Sequence, residues 1–195
     1  MAYPTVNAPY GFEPINRVDG MPYAGATRLI PIDSAYNTAI YHGDLVAVAA
    51  NGTLVKFTGT TTGSPVGVFM GAEYTNSLGQ FTPAQYYPGT SVTVASGIVV
   101  DDPLAAFKVA VTNVSSVMSS SAQAGVGSNM SVLAGTGDAA TGNSGASVLA
   151  GSEAGTAGLV VRVISTVDQT KTAADTFVEV VVKINLHQYN NTTGV

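Results

Sequence analysis

The apolar residues of this chain come in short runs, and the longest of them, such as Leu45 to Ala50 (LVAVAA), has the length of a strand. A bilayer span needs about 20 consecutive apolar residues, so the positive mean hydropathy of +0.29 does not mark a membrane helix. The apolar content is spread over many short elements separated by Gly, Pro, Asn, Ser and Thr. That pattern constrains the fold to a mainly β one, an antiparallel barrel or sandwich of short strands.

The strand signals begin at Arg28. Arg28 to Asp33 (RLIPID), Asn37 to His42 (NTAIYH), Asp44 to Ala49 (DLVAVA) and Thr53 to Thr58 (TLVKFT) are short β-prone segments. Asn51-Gly52 stands between the last two, and an Asn-Gly pair between β runs predicts a hairpin whose two turn residues both tolerate positive φ. Further strands are expected at Val66 to Glu73, Ser91 to Val100, Ala105 to Val111, Leu159 to Ser165 and Thr176 to Ile184. Pro83 limits Gln80 to Tyr87 to an edge strand. In the final strand Val178, Val180, Val182 and Ile184 share one face, while Phe177, Glu179, Val181 and Lys183 share the other.

Two regions fall outside that rhythm. Residues 1–27 carry Pro4, Pro9, Pro14 and Pro22, each of which fixes its own φ and biases the preceding residue toward extended backbone, so an extended N-terminal arm is expected. The rest, residues 28–195, forms a single β domain with a loop-rich lobe at 113–158. Within the lobe a short helix is expected around Ser115 to Gln123, capped by Ser115 or Ser116. Residues 134–158 read as a long Gly/Ala/Thr-rich loop or a loosely paired hairpin. VLAG occurs twice, at Val132 to Gly135 and Val148 to Gly151, too few copies for a solenoid.

Charge narrows the function. Charged residues are 10% of the chain, against about 25% in an ordinary soluble domain. A surface this poor in charge is either rich in Ser, Thr and Asn or covered by partners. The net charge is −5, and the seven basic residues are scattered, so no basic face for nucleic acid is expected. Cysteine is absent, which rules out disulfides.

No catalytic or cofactor constellation is visible. His42 and His187 are the only histidines, too few for a zinc set without Cys and few to serve as a base. Asp101-Asp102 is the one adjacent carboxylate pair. On a strand the two would point to opposite faces, and a turn into Pro103 capped by Asp explains them better. Gly135-Thr136-Gly137-Asp138-Ala139-Ala140 fits G-x-G-x-x-A in letters, but Gly142 and Gly145 follow where a helix would be needed. No enzyme activity, metal or cofactor is expected.

An ordered set of short motifs carries a resemblance: Tyr10-Gly11-Phe12, Pro14-Ile15, Asp19-Gly20, Pro22-Tyr23, Ile40 with Gly43-Asp44-Leu45-Val46, Gly67-Val68-Phe69, and Asp101-Asp102-Pro103 with Phe107. Val126-Gly127-Ser128-Asn129, Thr141-Gly142-Asn143-Ser144, His187-Gln188-Tyr189 and Thr193-Gly194-Val195 continue it. Over most of its length the chain resembles a family of tailed-bacteriophage virion proteins, structural or capsid decoration (cement) proteins. The resemblance implies a protein on the outer surface of the capsid in many copies. Its partners would be the major capsid protein and itself, as a trimer or dimer, with neither nucleic acid nor membrane. Another virion component, at the head–tail junction, in the tail or binding the host surface, is the alternative. Tyr3, Tyr10, Phe12 and Tyr23 of the arm, with His187, Gln188 and Tyr189, are the candidate capsid- or self-contact residues; for the arm aromatics, packing on the chain's own β body is the competing reading.

Overall fold

A computed structural model describes residues 6, 8–59, 64–112, 122–168, 177–191 and 194. The described chain is nearly all β and forms two sheets. Its strands are β1 (Glu13–Arg17), β2 (Arg28–Ile32), β3 (Leu45–Val48), β4 (Leu54–Lys56), β5 (Gly67–Asn76), β6 (Phe81–Ala84), β7 (Val92–Val100), β8 (Ala105–Thr112), β9 (Asn129–Met130), β10 (Val132–Leu133), β11 (Ser147–Leu149), β12 (Val161–Thr166) and β13 (Val178–Ile184). One sheet runs β2-β7-β5-β3-β4 and curls into a nearly closed barrel, with β6 paired to the distal half of β5. The other runs β10-β11-β8-β13-β12-β9, with β1 added on β8.

The barrel closes around Ile30, Ile32, Val46, Leu54, Phe69, Tyr87 and Val99. Gly97 lets it close. A Cβ there would sit 2.4 Å from Leu54 Cδ2 and 3.0 Å from the Phe69 ring, so only glycine allows the β4 leucine to cross the interior to β7. Pro83 lies in β6, which among the described residues pairs with β5 alone, as an edge strand containing proline requires.

The second sheet packs Phe107, Val109 and Val111 of β8 with Val161 and Val163 of β12 and Val180, Val182 and Ile184 of β13. The alternation expected for β13 holds, with Val178, Val180, Val182 and Ile184 all buried. Where the two sheets meet, period-2 geometry serves both cores at once. Leu45, Val68 and Val100 form one cross-strand row toward the second sheet, while their neighbours Val46, Phe69 and Val99 face the barrel interior.

Four local outcomes differ from or refine the sequence reading. Asn37 to His42 is not a strand; Ile40 and His42 make only isolated bridges, to Tyr87 and Asn143. Its backbone turns instead to bring Tyr41 to Asp44, whose carboxylate accepts from Tyr41 N. The Asn51-Gly52 hairpin forms, but only Gly52 has positive φ. Gly52 N donates to Ala49 O and Ala49 N to Thr53 O, so the loop is a turn on Ala50-Asn51 with Gly52 in the left-handed position.

The low-complexity region contains a true pairing: β10 and β11 run antiparallel, with the first valines of the two VLAG copies, Val132 and Val148, opposite each other and Leu133 opposite Ser147. β11 then lies parallel to β8, an exception to the antiparallel rule. Of the expected helix at Ser115 to Gln123, residues 115–121 lie outside the described residues; Ala122–Gly125 form a single 3-10 turn.

Candidate functional site

The N-terminal segment docks on the chain's own body. Gly11 and Gly43, both near φ +90°, pass so closely that a Cβ on Gly11 would meet the Gly43 backbone at 2.8 Å. Phe12 N donates to Gly43 O, Gly11 N donates to Ala146 O, and β1 adds to β8 with Glu13 opposite Lys108. Phe12 is fully buried in the core of the second sheet. Tyr23 packs partly buried against the same core, its hydroxyl donating to Ala26 O at 3.3 Å. Tyr3 lies outside the described residues.

Tyr10 holds this segment down. Its hydroxyl donates to Glu179 Oε1, and Lys108 Nζ lies 3.5 Å from the same carboxylate, 3.2 Å from Glu13 and 5.3 Å from the Tyr10 ring centroid. Glu179 alternates with the core-facing valines of β13, yet it is buried, with Tyr10 and Lys108 against its carboxylate. Burial, reinforced by the hydrogen bond to Glu179 and the nearby carboxylates, pushes the Tyr10 phenol pKa well above its ordinary value. The cluster works as a clasp.

A second polar cluster lies at the mouth of the barrel. Asp44, 1% exposed, accepts from Ser144 Oγ at 2.6 Å and from Tyr41 N at 2.8 Å, and pairs with Lys56 Nζ at 2.9 Å. It ties β4 and the 134–146 connection to the start of β3. Sequence reasoning passed over it, although the hairpin register contains the signal. Val46 lies opposite Lys56, so Asp44, two residues earlier, is the diagonal neighbour of Lys56 on the same face.

The C-terminal candidates divide. His187 is 1% exposed, and its Nδ1 accepts from Tyr189 N at 3.2 Å, capping a 3-10 turn at Gln188–Asn190. Gln188 reaches β3, where Val48 N donates to its Oε1 and its Nε2 donates to Val48 O. β5 pairs with β3 only at Leu45 and Val46, so the Gln188 amide takes the place of a strand at the edge β5 leaves free. Tyr189 stays half exposed, with Arg28 5.0 Å over its ring, in a cleft of about 280 Å³ shared with Leu29, Pro31 and Val48.

Asp101 and Asp102 form the expected turn, with Leu104 N donating to Asp102 Oδ1 at 2.9 Å. Both carboxylates also face guanidinium groups: Asp101 pairs with Arg28 at 2.6 Å and Asp102 with Arg17 at 2.9 Å. Among the described residues, no three His, Asp or Glu side chains converge as a metal site would require.

The outer face of the barrel carries an apolar group. Phe81 lies opposite Thr75, and Val94 stands beside Thr75 on the neighbouring strand, its side chain turned away from the interior that Ala95 faces. With Leu78 in the β5–β6 turn, these three are 67%, 70% and 80% exposed respectively. They were missed because Gln80 to Tyr87 reads as a mere edge strand, and the exposure of Val94 depends on the register of three strands.

The fold and its polar clusters define a two-sheet, mainly β protein whose candidate contact residues serve largely to hold its own termini in place. Comparison with protein-family models, with curated proteins and with solved structures finds no match to this chain.

Proposed function

We propose that the protein is a non-enzymatic structural component of a tailed-bacteriophage virion, a decoration protein bound in many copies to the outer surface of the head. There it would stabilise the junctions between major capsid subunits. The observation that carries the reading is the exposure of Leu78, Phe81 and Val94 on the outer face of a barrel, in a chain with few charges. Side chains of this kind exposed together mark a contact surface more often than isolated ones do. The resemblance of the ordered motifs to those of phage virion proteins supports the same reading.

Under this reading the clasped N-terminal segment is part of the module, and contact falls to the barrel face rather than to Phe12 or His187. Tyr10, Tyr23 and Tyr189 keep exposed surface and remain available as rim contacts. Cryo-EM of the intact particle, with quantitative mass spectrometry of purified virions, tests the assignment. Density for this fold repeated across the shell is the expected result. Density confined to a tail or portal ring, or absence from the particle, would overturn it.

A further inference from the structure

His187 makes one hydrogen bond with its side chain that depends on protonation state. Nδ1 accepts from Tyr189 N, which leaves the ring proton of the neutral imidazole on Nε2. Nε2 is buried without a hydrogen-bond partner among the described residues; the Val66 backbone lies close enough to favour the charged ring without meeting hydrogen-bond geometry. A second proton can enter only at Nδ1. It would turn the capping acceptor into a donor facing the Tyr189 amide, and place a charge in a site 1% exposed.

The turn that His187 caps bears the residues that fasten the C-terminal segment to the barrel. Gln188 N donates to Pro65 O at 2.9 Å, and the Gln188 side chain bridges Val48 N and O. Tyr189 lies under Arg28 and against the His187 ring, 5.3 Å between centroids.

Charged groups flank the site on one side. Asp101 and Asp102, in the turn between β7 and β8, favour the charged ring, but neither forms an ion pair with it. Each is already paired, with Arg28 and Arg17 respectively. Burial outweighs them and holds the His187 pKa below its ordinary value.

We propose that His187 and the 188–190 turn form an acid-released latch: protonation of Nδ1 ejects the cap, and Gln188 leaves the free edge of β3. The sign follows from linkage. The neutral ring is favoured in the closed form, and the open form takes up a proton near pH 6.5, so opening grows as pH falls below that value. The growth approaches about tenfold per pH unit until the closed form is itself protonated. Opening bares Val48 N–H and C=O, a short stretch of sheet edge at the mouth of the Arg28–Tyr189 cleft.

The test is amide hydrogen exchange on the full-length chain between pH 7.5 and pH 5.0, corrected for intrinsic rate, with NMR titration of the His187 ring in the same samples. The Val48 and Tyr189 amides are expected to lose protection as pH falls below 6.5, toward about tenfold per unit. The Phe69 amide, inside the barrel sheet, should stay protected throughout. His187→Asn keeps a capping acceptor that does not titrate, and its Val48 protection should be flat with pH. His42→Gln, which removes the other, partly buried histidine, should behave as wild type.

Unchanged Val48 protection in the wild type overturns the latch. So does pH dependence that survives in His187→Asn, or simultaneous loss of protection across the barrel. If His187→Asn does not fold, the wild type alone decides: Val48 opening must follow an uptake of one proton below pH 6.5 and end where the ring titrates.

Discussion

Gln188 grips Val48 by both ends of its amide: Val48 N donates to Oε1 at 3.0 Å, and Nε2 donates to Val48 O at 2.9 Å. A side chain thereby does what a neighbouring strand does elsewhere, 140 residues away in sequence. Removing it leaves two backbone groups of a half-buried strand unpaired. Gln188→Ala should lower stability by about 1–3 kcal/mol in urea unfolding. Gln188→Glu should lose at least as much, since it replaces the donor to Val48 O with a carboxylate oxygen. Stability unchanged in both would mean that water satisfies Val48 as well as Gln188 does.

The Asp44–Lys56 pair predicts an asymmetry. Asp44→Ala strands a nearly buried ammonium and frees Ser144 Oγ and Tyr41 N, and should cost about 3–5 kcal/mol. Replacing both charges, Asp44→Asn with Lys56→Met, should recover part of that loss, because Asn can still accept from Tyr41 N and no charge is left unpaired. Chemical denaturation of the single and double variants gives the comparison directly.

Alkaline pH should loosen the clasp at Tyr10. Its folded-state pKa is raised by burial first and by Glu179 second, so its contribution to stability is fully present below pH 10 and is lost as pH rises beyond it. Burial raises Tyr23 and Tyr87 in the same sense. Urea midpoints measured from pH 9 upward should fall in the wild type and fall less steeply in Tyr10→Phe. Equal slopes in the two proteins would remove Tyr10 from the account.

The barrel-face group separates folding from contact. Phe81→Ser with Val94→Thr should change stability by less than about 1 kcal/mol, since both side chains already face solvent. The same variant should lose binding to undecorated heads in a co-sedimentation assay, and retained binding would move the contact elsewhere.

Most of the strand map could be read from the sequence, for identifiable reasons. β13 announces itself by strict alternation, Asn51-Gly52 fixes a hairpin, and Pro83 forces an edge. Local chemistry decides each of these. What escaped depends on which distant segments meet. Glu179 reads as an outward-facing carboxylate, yet it is buried and accepts from Tyr10, a residue 169 positions away. Asn37 to His42 has strand composition but lacks a continuous partner, so it remains two isolated bridges. Phe12 and His187 drew notice as contact candidates because they sit in irregular termini. Both prove buried, since residues 10–17 pack on β8 and residues 187–190 on β3.

The seam between the sheets bears on how the molecule comes apart. Leu45, Val68 and Val100 belong to one core, and the residues beside them to the other, on the same three strands. Melting the barrel would therefore strip one wall from the second sheet as well. The two sheets should behave as one cooperative unit: a single calorimetric transition, with a van't Hoff enthalpy equal to the measured one. Neither half should survive proteolytic separation from the other.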